Sequence, residues 1–283
     1  MQIDIGRFTL EMDYDPTEVV NCSDKKIPID SIGFIYNCVF KQKQAFVRSV
    51  EAIREVYPES KIYVVSDGGL DYSFLQDEYI ETTMEEDTVS PLKNISSSNF
   101  LTPENQKIIK TGMAATLDRV QRGIEYCGNP EWICMTEPDV LIRGRITYPE
   151  SAKLLGTRIN WAGYTETCVE MFMGMNEIIS EFEGSSPVIR WGSVPVIFHT
   201  ETFFKALKIY QDNFDKLDKI TEKHYAPGTF DLFMGILFSL VGEPETYSDE
   251  YTECLRDPTW ETNGKPIVHQ YREFYEKSDF YGK

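Results

Sequence analysis

The sequence is poor in histidine and has no closely paired cysteines, which excludes several kinds of site. It contains three histidines among 283 residues, and none of its six cysteines forms a CxxC pair. The cysteine spacing fits no zinc-binding pattern, so we expect reduced thiols and no zinc module. The chain also has no P-loop, no GxGxxG motif and no pattern indicating a Ser-His-Asp or Cys-His site.

Long apolar runs and a basic leader are absent as well. No stretch approaches the roughly 20 apolar residues of a membrane-spanning helix. The acidic residues 1–15 have neither the basic nor the apolar region of a signal peptide. We therefore expect no transmembrane segment and a cytoplasmic location.

Basic residues are outnumbered by acidic ones, and the formal net charge is −18. Such a chain repels nucleic acid and anionic lipid at long range, which argues against both as partners. An acidic protein that binds a diphosphate needs local positive charge. A bound cation, a helix N-terminus or a few placed Arg and Lys side chains can supply it.

The first half of the chain has the pattern of a parallel sheet. Residues 1–30 are polar and rich in turn formers, and we interpret them as an appendage. Residues 31–40 suit a buried strand, residues 45–57 have helical periodicity, and residues 61–69 suit a second strand that ends in a Gly-Gly turn. Strand, helix and strand at this spacing predict a βαβ unit.

The second half predicts more alternating elements, with no linker between them. Residues 82–103 are polar and are expected to form a surface loop. A helix is predicted over residues 104–126, with Thr102 as its cap and Pro103 at its first position. The remaining predicted elements are strands at 132–136, 159–164 and 194–198 and helices at 200–210 and 229–240. We therefore expect one domain over residues 1–283.

An acidic triplet directly follows the predicted strand 132–136. Glu137 and Asp139 flank Pro138, which prevents a central strand from continuing. Residues i and i+2 of an extended segment point to the same side, so both carboxylates can aim at one point. Two carboxylates at a strand end can anchor Mg²⁺ or Mn²⁺. A solvated turn is the alternative for this triplet.

The order of these elements resembles the GT-A glycosyltransferase family. The residues that carry the resemblance are the first strand, the Val-Ser-Asp-Gly-Gly segment that ends the second, and the strand followed by Glu-Pro-Asp. It covers residues 31–145 well and the rest loosely. It implies an α/β fold whose mixed, mostly parallel sheet is flanked by helices.

The resemblance also implies site residues. Tyr36, Asn37 and Asp67 would lie beside the nucleotide base and ribose. Asp139 would bind the metal, and Glu137 would assist it or contact the ribose. The departure from the usual acidic motif, Glu first and Pro in the middle, leaves the role of Glu137 open. Asp67 is alternatively a turn residue before Gly68.

Further candidates come from the same resemblance and keep their alternatives. Arg119 or Arg122 would face the donor diphosphate, or would lie on a solvated helix face. Asp231 would be the base in an inverting enzyme, or would only complement the helix dipole. The resemblance also offers His269 as a further metal ligand, alternatively an ordinary hydrogen-bonded residue. Residue chemistry adds Trp191 and Gly192 for the sugar pocket, because aromatic faces stack on sugars and glycine lets the backbone approach a ligand closely; Trp191 is alternatively a core residue.

The resemblance therefore implies a metal-dependent glycosyltransferase with Mn²⁺ or Mg²⁺. It would move a sugar from a UDP- or GDP-linked donor to a hydroxyl acceptor, a carbohydrate or glycan. The alternatives are a non-catalytic nucleotide- or sugar-binding protein on the same fold and a sugar nucleotidyltransferase. A nucleotidyltransferase is disfavoured because residues 37–43 contain no glycine-rich loop.

Overall fold

A computed structural model gives the fold of the chain. It describes residues 2–11, 25–38, 43–67, 71–75, 77–85, 102–158, 166–188, 192–224, 230–247 and 265–269.

The described elements alternate between strands and helices along most of the chain. The strands are β1 (Gln2–Ile5), β2 (Phe8–Glu11), β3 (Ile32–Cys38), β4 (Ile62–Asp67), β5 (Ile80–Glu85), β6 (Trp132–Thr136), β7 (Val140–Ile142), β8 (Leu154–Arg158), β9 (Gly192–His199), β10 (Thr246–Tyr247) and β11 (Ile267–His269). The helices are α1 (Lys43–Val56), α2 (Pro103–Tyr126), α3 (Glu166–Ile179), α4 (Thr200–Asp212), α5 (Phe214–His224) and α6 (Phe230–Ser239).

A seven-stranded sheet in the order β10-β8-β9-β6-β3-β4-β5 forms the centre of the described structure. Within it β9 runs antiparallel to both neighbours, and the other neighbouring pairs are parallel. Two small antiparallel pairs, β1-β2 and β7-β11, lie outside it. The predicted fold class, a mixed and mostly parallel sheet flanked by helices, is confirmed.

Apolar side chains cover both faces of the sheet. In the central strand β3, Phe34 and Tyr36 belong to the core beneath α1, whereas Ile35 belongs to the core beneath α2. This alternation follows from the two-residue period of a strand. The core on the α2 face also includes residues of α3, α4, α5 and α6. The central strands are therefore buried on both sides, and a ligand can reach them only at an edge.

The long helix α2 begins as predicted. Thr102 is its N-cap and accepts a hydrogen bond from the backbone N–H of Asn105 at 3.3 Å, with Pro103 next in the chain. A glycine in its last turns lets the helix lie close to the sheet, because a Cβ on Gly123 would lie 2.6 Å from Cδ1 of Ile35. The helix is therefore fixed in position directly above β3.

The N-terminal segment is a hairpin that docks on the domain. Gly6 has φ +58° in the two-residue turn between β1 and β2, which suits a primed hairpin turn. Arg7 donates hydrogen bonds to the carbonyl oxygen of Ser180 at 2.9 Å and to that of Ser185 at 2.8 Å. Residues 2–11 are thus held against the end of α3.

Some described elements differ from the sequence prediction. The predicted loop at residues 82–103 is wrong at its start, because β5 extends to Glu85 as a polar edge strand with several exposed residues. The strand predicted at 194–198 is longer, at Gly192–His199, and the predicted strand at 159–164 lies outside the described residues. In the described part of the chain, no helix is both long and apolar enough to cross a membrane.

Candidate active site at the carboxyl edge of the sheet

The strand order creates a switch point between β3 and β6. From β3 the chain adds β4 and β5 on one side, and after α2 it returns to β6 on the other side of β3. Helices α1 and α2 cover opposite faces. Connections that diverge in this way leave a crevice at the carboxyl ends of the two strands, where ligands of open α/β sheets bind.

The acidic triplet lies at this crevice. Strand β6 ends at Thr136, and the N–H of Val140 donates to the carbonyl oxygen of Glu137 at 3.1 Å, which closes a tight turn. Glu137 is half-buried, and Asp139 has only 2% of its surface exposed. The alternative of a fully solvated turn is therefore wrong for Asp139.

The predicted late histidine is brought close to this turn by its backbone. Strand β11 pairs antiparallel with β7, and His269 lies opposite Val140. Opposed residues in such a pair have Cα atoms about 4.5–5.5 Å apart. The backbone of His269 therefore lies beside the Asp139 turn in space, although its side chain lies outside the described part of the structure.

The donor set suits a hard divalent cation, although the described side chains do not complete a site. Glu137 and Asp139 supply carboxylate oxygens, which Mg²⁺ and Mn²⁺ prefer. No group of three or more His, Cys, Asp or Glu side chains that could hold a metal is found among the described residues.

Two buried hydroxyl groups lie near the carboxyl ends of β4 and β6, the two parallel strands on either side of β3. Thr136 ends β6, and Ser66 is the second-last residue of β4. Each residue is 1% exposed, and neither hydroxyl has a hydrogen-bond partner among the described atoms. A buried polar group without a partner costs about 1–3 kcal/mol. Bound water or a bound ligand at this edge would remove that cost.

Arg119 of α2 is tied to this edge by a buried network. Its Nε donates to Oε2 of Glu85 at 2.7 Å, and its Nη1 donates to Oδ1 of Asn37 at 2.9 Å. The Arg119 side chain is 1% exposed. The alternative of a solvated helix face is therefore wrong for Arg119, whose described bonds go to Glu85 and Asn37.

Arg122 is the outer member of the same network. It pairs with Glu85 through Nη2, with Asp118 through Nε at 2.8 Å, and with the hydroxyl of Tyr63 through Nη1 at 3.0 Å. Burial lowers the pKa of Arg122, but its interactions with Glu85, Tyr63 and Asp118 together outweigh burial, so the net pKa is raised. Arg122 is 36% exposed, which leaves one face open to solvent.

Tyr36, predicted beside the nucleotide, lies in the core instead. It is fully buried, packs on Phe46 with ring centroids 4.6 Å apart, and its hydroxyl lies 2.6 Å from that of Ser49. Its side chain faces α1 because alternate residues of β3 face opposite sides. Asn37, the next residue, faces α2 and is half-buried.

The other predicted residues are placed by their backbones alone. Asp67 ends β4 at the same edge of the sheet, and Gly192 begins β9 opposite Arg158, the last residue of β8. Asp231 is the second residue of α6. The side chains of Asp67 and Asp231 lie outside the described part, as does the whole of Trp191.

Sequence reasoning missed Glu85, which joins Arg119 and Arg122. It lies in the segment interpreted as a surface loop, where polar residues outnumber apolar ones. An edge strand exposes many of its side chains, so its composition resembles that of a loop. The weak signal was the pair Thr82 and Thr83, since β-branched residues favour strands.

Comparisons with known proteins give matches among solved structures only. No protein-family model matches the chain, and no curated protein matches it either. A galactosyltransferase LgtC in complex with donor and acceptor sugar analogs matches at 12% identity and TM-score 0.43, over 84% of this chain and 86% of that one. An active-site mutant of LgtC matches at 11% identity and TM-score 0.44, with the same coverage.

The bifunctional IspDF from Campylobacter jejuni also matches, at 11% identity and TM-score 0.36, over 80% of this chain and 50% of that one. TM-scores below 0.5 carry no argument about what this chain does.

Proposed function

We propose that this protein is a metal-dependent glycosyltransferase that moves a sugar from a nucleoside diphosphate sugar to a hydroxyl acceptor. The observation that carries the proposal is the position of the Glu137–Asp139 turn. This acidic turn directly follows β6 at the switch point, beside the end of β3. An α/β sheet binds its ligands at this place.

Glu137 and Asp139 would hold Mn²⁺ or Mg²⁺, with His269 as the third ligand. When bound, the cation neutralises the diphosphate and stabilises the charge that develops on the leaving nucleotide. This chain carries a net charge of −18 and needs such local compensation to bind a diphosphate. The buried position of Asp139, at 2% exposure, fixes the direction of its carboxylate.

Asn37 and Asp67 would hold the nucleotide, because each lies at the carboxyl end of a parallel strand next to the switch point. Arg122 has an open face and remains the candidate for a direct contact with the diphosphate. Arg119 contributes through the residues it holds. The donor is a UDP- or GDP-linked sugar, and Gly192, at the start of β9, would let the chain approach it closely.

In the transfer, the bond between the anomeric carbon and the diphosphate oxygen breaks, and the acceptor hydroxyl oxygen forms a new bond to that carbon. In the inverting case Asp231 takes the proton of the acceptor hydroxyl. Asp231 lies in the first turn of α6. The acceptor is a carbohydrate or glycan.

Calorimetric titration with UDP and with GDP, each with and without Mn²⁺, tests the proposal. We expect one nucleotide to bind tightly in the presence of metal and at least tenfold more weakly without it. Asp139→Asn should remove the metal dependence. Asp212→Asn is the matched control, since Asp212 pairs with Lys208 on the exposed face of α4 and with no other residue in the described part of the chain. No binding of either nucleotide by the wild type would overturn the proposal.

A second assay separates an enzyme from a binding protein. The wild type is incubated with UDP- and GDP-linked sugars, and the release of free nucleotide is followed. Binding without release, with or without added oligosaccharides, would favour the non-catalytic alternative.

A further inference from the structure

The contact with Arg119 fixes the orientation of the Asn37 side-chain amide. The guanidinium group of Arg119 has donors only and accepts no hydrogen bond. The group of Asn37 that receives the 2.9 Å bond from Nη1 is therefore the amide oxygen. The amide nitrogen, with its two N–H donors, must point away from Arg119.

The amide nitrogen of Asn37 is not used elsewhere in the described structure. Among the described residues, the Asn37 side chain makes one hydrogen bond, which it accepts from Arg119 through its amide oxygen. The residue is half-buried at the end of β3, at the switch point. Its two N–H donors are therefore open to a ligand in the crevice.

Glu85 keeps this arrangement in place. Arg119 carries a charge at 1% exposure, and Glu85 supplies its counter-charge through the 2.7 Å bond to Nε. A buried charge without such a partner is strongly unfavourable. Glu85 is also held by Arg122, so it is anchored on its other oxygen. The chain of contacts runs from the edge strand β5 through α2 to the central strand β3.

We propose that Glu85 and Arg119 are positioning residues that lock the Asn37 amide with its N–H donors facing the ligand, so that this subsite selects a hydrogen-bond acceptor of the nucleotide. This inference rests on the proposed function. It assigns to Arg119 a role through Asn37 in place of a direct contact with the diphosphate. It also gives Glu85 a part in specificity.

Asn37→Asp is the decisive variant. An aspartate at this position still accepts the bond from Arg119, so the protein should fold, but it offers the ligand an acceptor where the wild type offers donors. Nucleotide affinity in the presence of Mn²⁺ should fall by about ten- to a hundredfold, because an acceptor then faces an acceptor. The measurement is the dissociation constant by calorimetry, with the urea unfolding midpoint recorded in parallel.

Glu85→Gln tests the other end of the chain of contacts. It removes the counter-charge of Arg119, so the urea midpoint should fall relative to that of the control Glu81→Gln, an exposed position on the same strand. Adding Asn37→Asp to Glu85→Gln returns a carboxylate to Arg119. The double variant should regain at least half of the lost midpoint while its nucleotide affinity stays as low as that of Asn37→Asp alone.

The outcomes separate this inference from the proposed function. If the wild type binds a nucleotide and Asn37→Asp binds it equally well, the positioning role is wrong and the glycosyltransferase proposal stands. If the double variant regains no stability, Arg119 does not couple the two positions and the inference is again overturned. A wild type that binds no nucleotide overturns both.

Discussion

The hydroxyl groups of Tyr36 and Ser49 lie 2.6 Å apart in the core between β3 and α1. Ser49 in turn donates to the carbonyl oxygen of Val140 at 2.5 Å, just beyond the acidic turn. Three separate parts of the chain are thus joined by one buried line of hydrogen bonds. Through Ser49, Tyr36 helps to hold Val140 and β7 in place, and its side chain does not line the crevice.

Tyr36→Phe should therefore cost stability and leave nucleotide binding unchanged. Removing one neutral buried hydrogen bond costs about 1 kcal/mol, which urea unfolding would detect. The affinity for the nucleotide should stay within about twofold of the wild type, since the ring and its packing remain. A large loss of affinity at unchanged stability would show instead that Tyr36 touches the ligand.

Gly123→Ala should destabilise the protein although alanine favours helices. The added Cβ would lie 2.6 Å from Cδ1 and 2.8 Å from Cγ1 of Ile35 and 3.0 Å from Cδ1 of Tyr63, so these buried side chains or α2 itself must shift. Overpacking of this kind costs about 1–3 kcal/mol, more than the helix propensity gain of about 1 kcal/mol. The measurement is the free energy of unfolding in urea.

Gly235→Ala provides the matched control for that change. Gly235 also lies inside a helix, but its added Cβ would meet only ordinary contacts, at 3.9 Å from Glu245 and 4.0 Å from Val188. This variant should be as stable as the wild type or more stable. Equal destabilisation by both alanines would refute the close-packing explanation.

Arg7→Ala should release the N-terminal hairpin from α3. Besides its bonds to the carbonyl oxygens of Ser180 and Ser185, Arg7 donates to the Ser185 hydroxyl at 2.5 Å. A buried hydrogen bond from a charged donor is worth about 1.5–3 kcal/mol, but Arg7 is exposed and solvent weakens each of its bonds, so we expect a total loss of about 2 kcal/mol. Limited proteolysis should then cut residues 2–11 faster, whereas Lys208→Ala, which removes an exposed ion pair, should not change the rate.

The N-cap of α4 should make stability depend on pH. His199 accepts a hydrogen bond from the N–H of Thr202 through Nδ1 at 3.4 Å, which requires that nitrogen to be unprotonated. Burial, and then the charge of Lys153, lower the pKa of His199 below its ordinary value of 6.5, while Glu131 and Glu201 oppose them. A lowered histidine pKa means that the folded state favours the neutral ring.

The stability contributed by His199 should therefore be present above pH 6.5 and be lost as the pH falls through the lower folded pKa. We expect the free energy of unfolding of the wild type to drop by about 1 kcal/mol more than that of His199→Asn between pH 7 and pH 5, since Asn caps a helix at any pH. Parallel curves for the two proteins would refute this role of the ring.

Several features could be predicted because local rules decide them. The run from Trp132 to Thr136 is a strand because it is short and apolar, and Pro138 then stops it. The helix α2 starts at Pro103 because Thr102 caps it. The Glu137–Asp139 pair could be predicted as a candidate site because it directly follows a buried strand in the sequence.

The partners of the candidate residues could not be predicted in this way. Glu85 and Arg119 are 34 positions apart, and Arg119 and Asn37 are 82 apart. The helical pattern of α2 indicated neither which face meets the sheet nor how deeply Arg119 is buried. Gly123 decides that depth only because Ile35 happens to lie opposite it.

The sequence by itself determined four strands of the sheet (β3, β4, β6 and β9), the long helix with its cap and the acidic turn, because these depend on neighbouring residues and on two-residue or 3.6-residue periods. Only the tertiary structure decided that Tyr36 faces the core, that Asn37 faces Arg119, and that His269 pairs with the strand beside Asp139. Those outcomes depend on strand order and on the depth of helix packing, which bring together residues that are far apart in the chain.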